Sequence, residues 1–208
     1  MSTLSILMSN RLTRRRLGGV LLAGAAVQML PRTAFALDDA EASALIDRAI
    51  ADVHAVINSG KPEAEMIADF EQIFITYADS RTIGQSALGV AARSATPAQM
   101  EAFTLAFRGY ISRKYGRRFR EFIGGKIEVT GSRKLKSFYE VRSIAHLRGE
   151  APFELLWHVS DASGKDLFFN LIIEGVNMLA SERTEVGAML DRRRGDIDAL
   201  IADLKAAG

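Results

Sequence analysis

After Gly124 and Gly125 the apolar residues change their period, and that change decides which class of fold is open to the chain. Upstream, apolar side chains recur every three or four residues, the spacing of amphipathic helices; downstream they alternate, the spacing of strands with one covered face. In Lys126–Gly131, Ile127 and Val129 alternate with Glu128 and Thr130. In Ser137–Arg148, Tyr139, Val141, Ala145 and Leu147 alternate with Glu140, Arg142, Ile144, His146 and Arg148. Pro152–Ser160 sets Phe153, Leu155, Trp157 and Val159 to one side, and Lys165–Glu174 does the same with Leu167, Phe169, Leu171 and Ile173. Short links bearing Gly or Ser join the four segments, as an antiparallel meander requires. Helical spacing returns from Asn177, and Asp196–Ala206 adds an amphipathic tail. Helices, then strands, then helices make an α+β fold: a four-stranded antiparallel curved sheet packed by N-terminal and C-terminal helices.

Upstream of the sheet, Asp38 or Asp39 caps a helix over about Ala40–Asn58, and Ser59-Gly60-Lys61-Pro62 ends it. A second helix follows to Tyr77, then a short third one capped by Asp79 or Ser80 and ending near Leu88-Gly89. The longest runs from Thr96 towards Phe122. Thr96 takes the N-cap position, Pro97 the first turn and Gln99 the reciprocal place in a capping box. Met100, Phe103, Phe107, Tyr110, Ile111, Tyr115 and Phe122 form a broad aromatic stripe on it. A stripe that wide must lie against a large apolar surface, and the sheet is the surface expected.

The amino terminus is expected to be an export signal. Thr13-Arg14-Arg15-Arg16-Leu17 is a basic, twin-arginine-like region, Leu17–Leu30 is an apolar run too short to span a bilayer, and Ala34-Phe35-Ala36 fits a signal-peptidase site. Residues 1–36 hold five arginines and no acid, so residues 37–208 carry 22 basic against 25 acidic groups. The basic balance of the whole chain belongs to that segment and gives no reason to expect nucleic acid. The remaining 172 residues contain no cysteine and are expected to hold together as one domain by packing.

Catalytic and metal chemistry find little support. The three histidines, His54, His146 and His158, stand apart, and the last two lie on strand positions that point away from the apolar face. No HExxH, phosphate loop, GxSxG or CxxC occurs. Glu182, Glu185, Asp196 and Asp198 suit helix starts, where acids favour the positive end of the dipole. Arg108 to Lys136 holds ten basic residues and two acids. That run is either a solvated helix face with a hairpin tip or a docking patch for anionic headgroups or an acidic partner.

Ile172–Val186 (IIEGVNMLASERTEV), Tyr77-Ala78-Asp79 with Ala87-Leu88-Gly89, Ala95-Thr96-Pro97-Ala98-Gln99 with Phe103 and Phe107, then Tyr115 and the closing Asp198-Ala199-Leu200-Ile201 occur in the order of the MlaC family. The chain resembles that family, also described as toluene-tolerance or ABC transporter auxiliary proteins, over about residues 40–205. It departs from it at Val90-Ala91-Ala92-Arg93, where an aromatic pair is usual, and at Asn177, where serine is common. The resemblance implies an NTF2-like cone with an apolar pocket and a periplasmic phospholipid carrier. Such a carrier exchanges lipid between an outer-membrane lipoprotein–porin complex and an inner-membrane ABC transporter with an MCE-domain protein. No catalysis and no cofactor are expected, the phospholipid being cargo. The alternatives are a ligand-free interaction module and an NTF2-like enzyme.

Set beside the helix stripe and the alternating strands, this implies a lipid sleeve of Phe103, Phe107, Tyr110, Tyr139, Leu155, Trp157, Phe169, Leu171, Ile173 and Val176. Arg117, Arg118, Arg120 and Arg183 are headgroup or partner contacts by the same reasoning. Phe107→Asp and Ile173→Asp are each expected to abolish lipid carriage and leave the domain folded.

Overall fold

The computed structural model describes residues 37–117 and 122–207. The expected export signal, and Arg118 and Arg120, lie outside the described residues. Helix α1 (Asp39–Ile57) starts on a capping box in which Asp38 and Glu41 satisfy each other's backbone N–H groups. Helix α2 (Glu63–Tyr77) follows Pro62, and α3 (Ser80–Leu88) is capped by the Asp79 carboxylate. A 3₁₀ turn, Gly89–Arg93, leads to α4 (Pro97–Gly116), which opens on the expected Thr96–Gln99 capping box. It closes at Gly116, short of Phe122, where a helix-weakening glycine also admits Ile67 of α2 against its backbone. No described helix is long and apolar enough to cross a membrane.

The sheet has five strands rather than four: β1 (Lys126–Leu135), β2 (Phe138–His146), β3 (Phe153–Ser160), β4 (Leu167–Ile173) and β5 (Val176–Asn177), in that spatial order and all antiparallel. Strand β1 runs through the stretch expected to be a link, because a register shift between Val129 and Gly131 absorbs one residue and pairing continues to Leu135. The added strand β5 is two residues long and follows a two-residue turn. Glu174 and Gly175 both adopt positive φ, 50° and 80°, as a hairpin of this length requires. Helices α5 (Met178–Arg192), capped by Asn177, and α6 (Ile197–Ala206), capped by Asp196, complete the chain.

Two large apolar layers result, beside a small cluster of Ile57, Met66 and Phe70. Helix α1 lies along β1, with Leu45, Ile46, Ala49 and Ile50 packed on Tyr139, Val141 and Val159 of the sheet's inner face. Beyond the β4 edge, α3, α4, α5 and α6 build a helical core around Phe103, Phe107, Val186, Leu200 and Leu204. Residues Ala78 and Asp79 tie it to the sheet: Ala78 bridges Phe168, and Asp79 N–H donates to the Phe168 carbonyl at 2.8 Å. The main partners of α4 are α6, α2 and α3. Its aromatic stripe therefore faces mainly other helices, with Phe168 and Phe169 of β4 bordering the cluster, and not the whole meander as the sequence suggested.

Candidate functional site

The alternation in β2 and β3 places side chains as read from the sequence. Tyr139, Val141, Leu155, Trp157 and Val159 share the inner face, joined there by Ser143. The fully buried Ser143 hydroxyl accepts the Trp157 indole N–H at 2.9 Å, so the large ring brings no unsatisfied donor into the layer. In β4 a register shift between His158 and Val159 reverses the first half of the strand. Leu171 and Ile173 pair with Trp157 and Leu155 on the inner face, but Phe168, not Phe169, pairs with Val159. Phe168 meets Trp157 and Phe74 edge-on, at 5.4 and 6.2 Å between ring centres. Phe169 turns to the other side, against Phe138 and His158. A one-residue slip exchanges the faces of a strand; Phe169 is thus not part of the inner wall.

The expected sleeve divides in the structure. Leu155, Trp157, Leu171 and Ile173 form a cross-strand apolar block on the inner face. Exposure rises along the row Leu155–Ile173–Val176, from 4% at Leu155 through a half-buried Ile173 to 54% at Val176. Tyr139 belongs to the α1 layer. Phe103 and Phe107 are 0% exposed and stacked, 5.7 Å between ring centres, inside the helical core. Tyr110 is buried beside them, its hydroxyl donating to Glu185 at 2.5 Å. These three are core residues of the helical layer, which Phe168 and Phe169 of β4 border. Arg117 is exposed at the end of α4, 3.9 Å from Glu63. Arg183 is exposed on α5 beside Gly89, where a shallow groove is lined by Ser86, Asn177, Leu179 and Ala180 as well.

Two polar clusters were not legible in the sequence. On the outer face of the sheet, Glu140 and His158 point away from the α1 layer as expected, yet they are covered, not solvated. Glu140 is buried, accepts from Arg133 and stands 3.4 Å from His158 Nε2. The His158 ring, with 14% of the side chain exposed, is held between Phe138 and Phe169, and its Nδ1 lies 3.4 Å from the Asn170 amide. Burial pushes His158 below the usual histidine range, against the smaller upward pull of Glu140. A depressed histidine stabilises the fold above its unfolded pKa, about 6.5, and that stability drains away as pH falls towards the folded value. The unfolding midpoint in denaturant should therefore drop between about pH 7 and pH 5, and His158→Gln should flatten the drop. An unchanged slope in the variant would assign the acid sensitivity elsewhere.

The second cluster joins α4 to α5. Lys114 donates to Glu182 at 2.7 Å and to Glu185 at 2.5 Å, Tyr115 donates to Glu182, and Tyr110 to Glu185. Glu182 is buried, so the acids assigned by sequence to dipole compensation are instead partners of α4. Burial, then the bond to Glu185, pushes the Tyr110 hydroxyl up to about 12; burial, then Glu182, holds Tyr115 above the ordinary tyrosine range. Burial would lower Lys114, but its hydrogen bonds to Glu182, Glu185 and Tyr110 outweigh that and hold the ammonium charged. Among the described residues no three His, Cys, Asp or Glu side chains come together as a metal site would need.

Comparison with known proteins bears on both fold and family. A phospholipid-binding protein from Ralstonia solanacearum, solved in complex with a phospholipid, superposes with a TM-score of 0.69 at 21% identity, covering 79% of this chain and 95% of that one. At that identity the likeness speaks for the fold. The family model described as MlaC protein matches residues 47–206. With that match running from the middle of α1 to the end of α6, the chain belongs to the MlaC family.

Proposed function

We propose that this protein is a phospholipid carrier that seats acyl chains against the inner face of its sheet, at Leu155, Trp157, Leu171, Ile173 and Val176. The observation that carries the reading is the graded apolar row Leu155–Ile173–Val176, which runs from a buried centre to an open β5 edge. Family membership supports it, as does the phospholipid held by the Ralstonia solanacearum protein of the same fold. Each buried methylene is worth about 0.8 kcal/mol, so a two-chain lipid with roughly thirty of them needs on the order of 25 kcal/mol of cover from water. A bilayer offers nearly the same burial, which leaves exchange between membrane and protein close to neutral and therefore reversible.

The carrier works in the periplasm on this reading, after removal of residues 1–36. It takes lipid from, or gives it to, an outer-membrane lipoprotein–porin complex and an inner-membrane ABC transporter with an MCE-domain protein. Arg117 and Arg183, both exposed, are available for docking or headgroup contact. Nothing in the polar clusters asks for catalysis, since each buried acid there has a structural partner in a neighbouring element.

Native mass spectrometry of protein purified from cells tests the reading: a bound mass near that of a phospholipid is expected, and its absence in freshly extracted protein refutes carriage. Ile173→Asp places a carboxylate on the half-buried row without opening the buried layers. Lipid occupancy should fall at least about tenfold with the unfolding midpoint close to wild type, because a charge among acyl chains is strongly disfavoured. Full occupancy in Ile173→Asp and in Leu171→Asp would move the acyl chains off this face.

A further inference from the structure

On α4 the described cations are partnered with one exception. Arg113 donates to the carbonyls of Leu204 and Ala207 at the end of α6, Lys114 to Glu182 and Glu185, and Arg117 stands by Glu63. Arg108 has neither an ion pair nor a hydrogen bond within the described structure, and its Nε is buried. One turn on, Ser112 is 4% exposed with its Oγ equally without a partner. Hydroxyls inside helices ordinarily donate to the carbonyl four residues back, as Thr104 does to Met100 at 2.8 Å. Two buried donors left open on adjacent turns are costly, and such orphans call for an explanation.

Their position narrows the explanation. Rotation along the helix sets Arg108 and Ser112 between Ile111, which packs in the cluster containing Phe168 of β4, and Gly116, whose Cα face is met by Ile67 of α2. The pair thus lies on the side of α4 that turns from the helical core towards α2. Glu71, one turn beyond Ile67 on α2, makes no ion pair with Arg108. Both open groups donate, and a guanidinium Nε with a neighbouring terminal nitrogen forms the fork that suits two oxygens of one anion.

We propose that Arg108 and Ser112 form an anion subsite that takes the phosphodiester oxygens of the bound lipid, an assignment that rests on the carrier reading above. The lipid's headgroup end is then selected by charge and geometry, while the acyl chains are selected only by burial.

The test uses lipid-stripped full-length protein and three probes: vesicles of phosphatidylglycerol, diacylglycerol with the same acyl chains, and inorganic phosphate. Wild type should prefer phosphatidylglycerol over diacylglycerol by roughly tenfold or more, the scale of charge-assisted hydrogen bonds. Arg108→Met should bring that preference to within about twofold and leave diacylglycerol uptake unchanged, and Ser112→Ala should reduce it about threefold. Should Arg108→Met fail to fold, Ser112→Ala, which removes one atom, decides alone. Equal preference in wild type and variants overturns the subsite while the carrier reading stands. Stabilisation of wild type by inorganic phosphate, lost in Arg108→Met and accompanied by no preference between the lipids, assigns the pair to free anions and overturns it as well. Failure of wild type to take up either lipid removes the carrier reading and the subsite with it.

Discussion

Phe107→Asp should leave no folded domain, and its loss of lipid would then report unfolding instead of a damaged binding wall. Phe107 is 0% exposed and stacked on Phe103 at an interplanar angle of 15°, with Tyr110 6.2 Å away. The surrounding cluster draws on α3, α5 and α6 through Ile83, Val186, Met189, Leu200 and Leu204. Truncating a buried phenylalanine to alanine costs about 3–5 kcal/mol, and a carboxylate adds the penalty of an unpaired buried charge. Domains of this size are stable by about 5–15 kcal/mol in all, so the substitution consumes most or all of the margin. The sequence alone suggested a folded, lipid-free variant; full burial among helices removes that expectation. Denaturant unfolding and near-ultraviolet circular dichroism check it, with Phe107→Leu as the volume-conserving control that should fold and keep its lipid. A folded Phe107→Asp with a wild-type midpoint would mean that this core yields to water or lipid, and the residue would return to the binding wall.

That reversal marks where sequence reading stops. A 3.6-residue stripe states that one face of α4 is covered but not by what, since a sheet and three helices demand the same side chains. Features that depend on near neighbours were legible: the Asp38 and Thr96 caps, the end of α1 at Asn58, and the inward set Tyr139, Val141, Leu155 and Trp157. Phe169 went to the wrong face because the slip opposite His158 and Val159 is one residue long and leaves no mark in the alternation of β4 itself. Strand β5 is two residues long, too short to show a period, although Glu174-Gly175 marks the turn before it. His158 sat correctly on the outer face, yet its cover comes from Phe138 and from the displaced Phe169, so missing the slip also meant missing the cover. Arg108 and Ser112 carry only a four-residue spacing, which on a helix is too common to single out a site.

Lys114→Met should be the more damaging way to break the α4–α5 polar cluster, and Glu182→Gln the milder one. Only 5% of the Glu182 side chain is exposed, and its Oε2 already lacks a partner, so Lys114 and Tyr115 on Oε1 supply its compensation. Taking away the ammonium leaves a buried carboxylate with a single tyrosine donor, a loss of about 3–5 kcal/mol for pairs of this kind. Methionine keeps the apolar stem of lysine, so the cost comes from charge and not from a cavity. Glu182→Gln removes the buried charge while Lys114 keeps Glu185 at 2.5 Å, so about 1–2 kcal/mol is expected there. The double variant Lys114→Met/Glu182→Gln should then be more stable than Lys114→Met alone, a coupling between contacting groups that unfolding midpoints of the four proteins measure directly. Additive losses would mean that water already reaches Glu182 and that the cluster is solvated. A rescued double variant would instead show that α4 and α5 are held by charges compensating each other inside the helical layer.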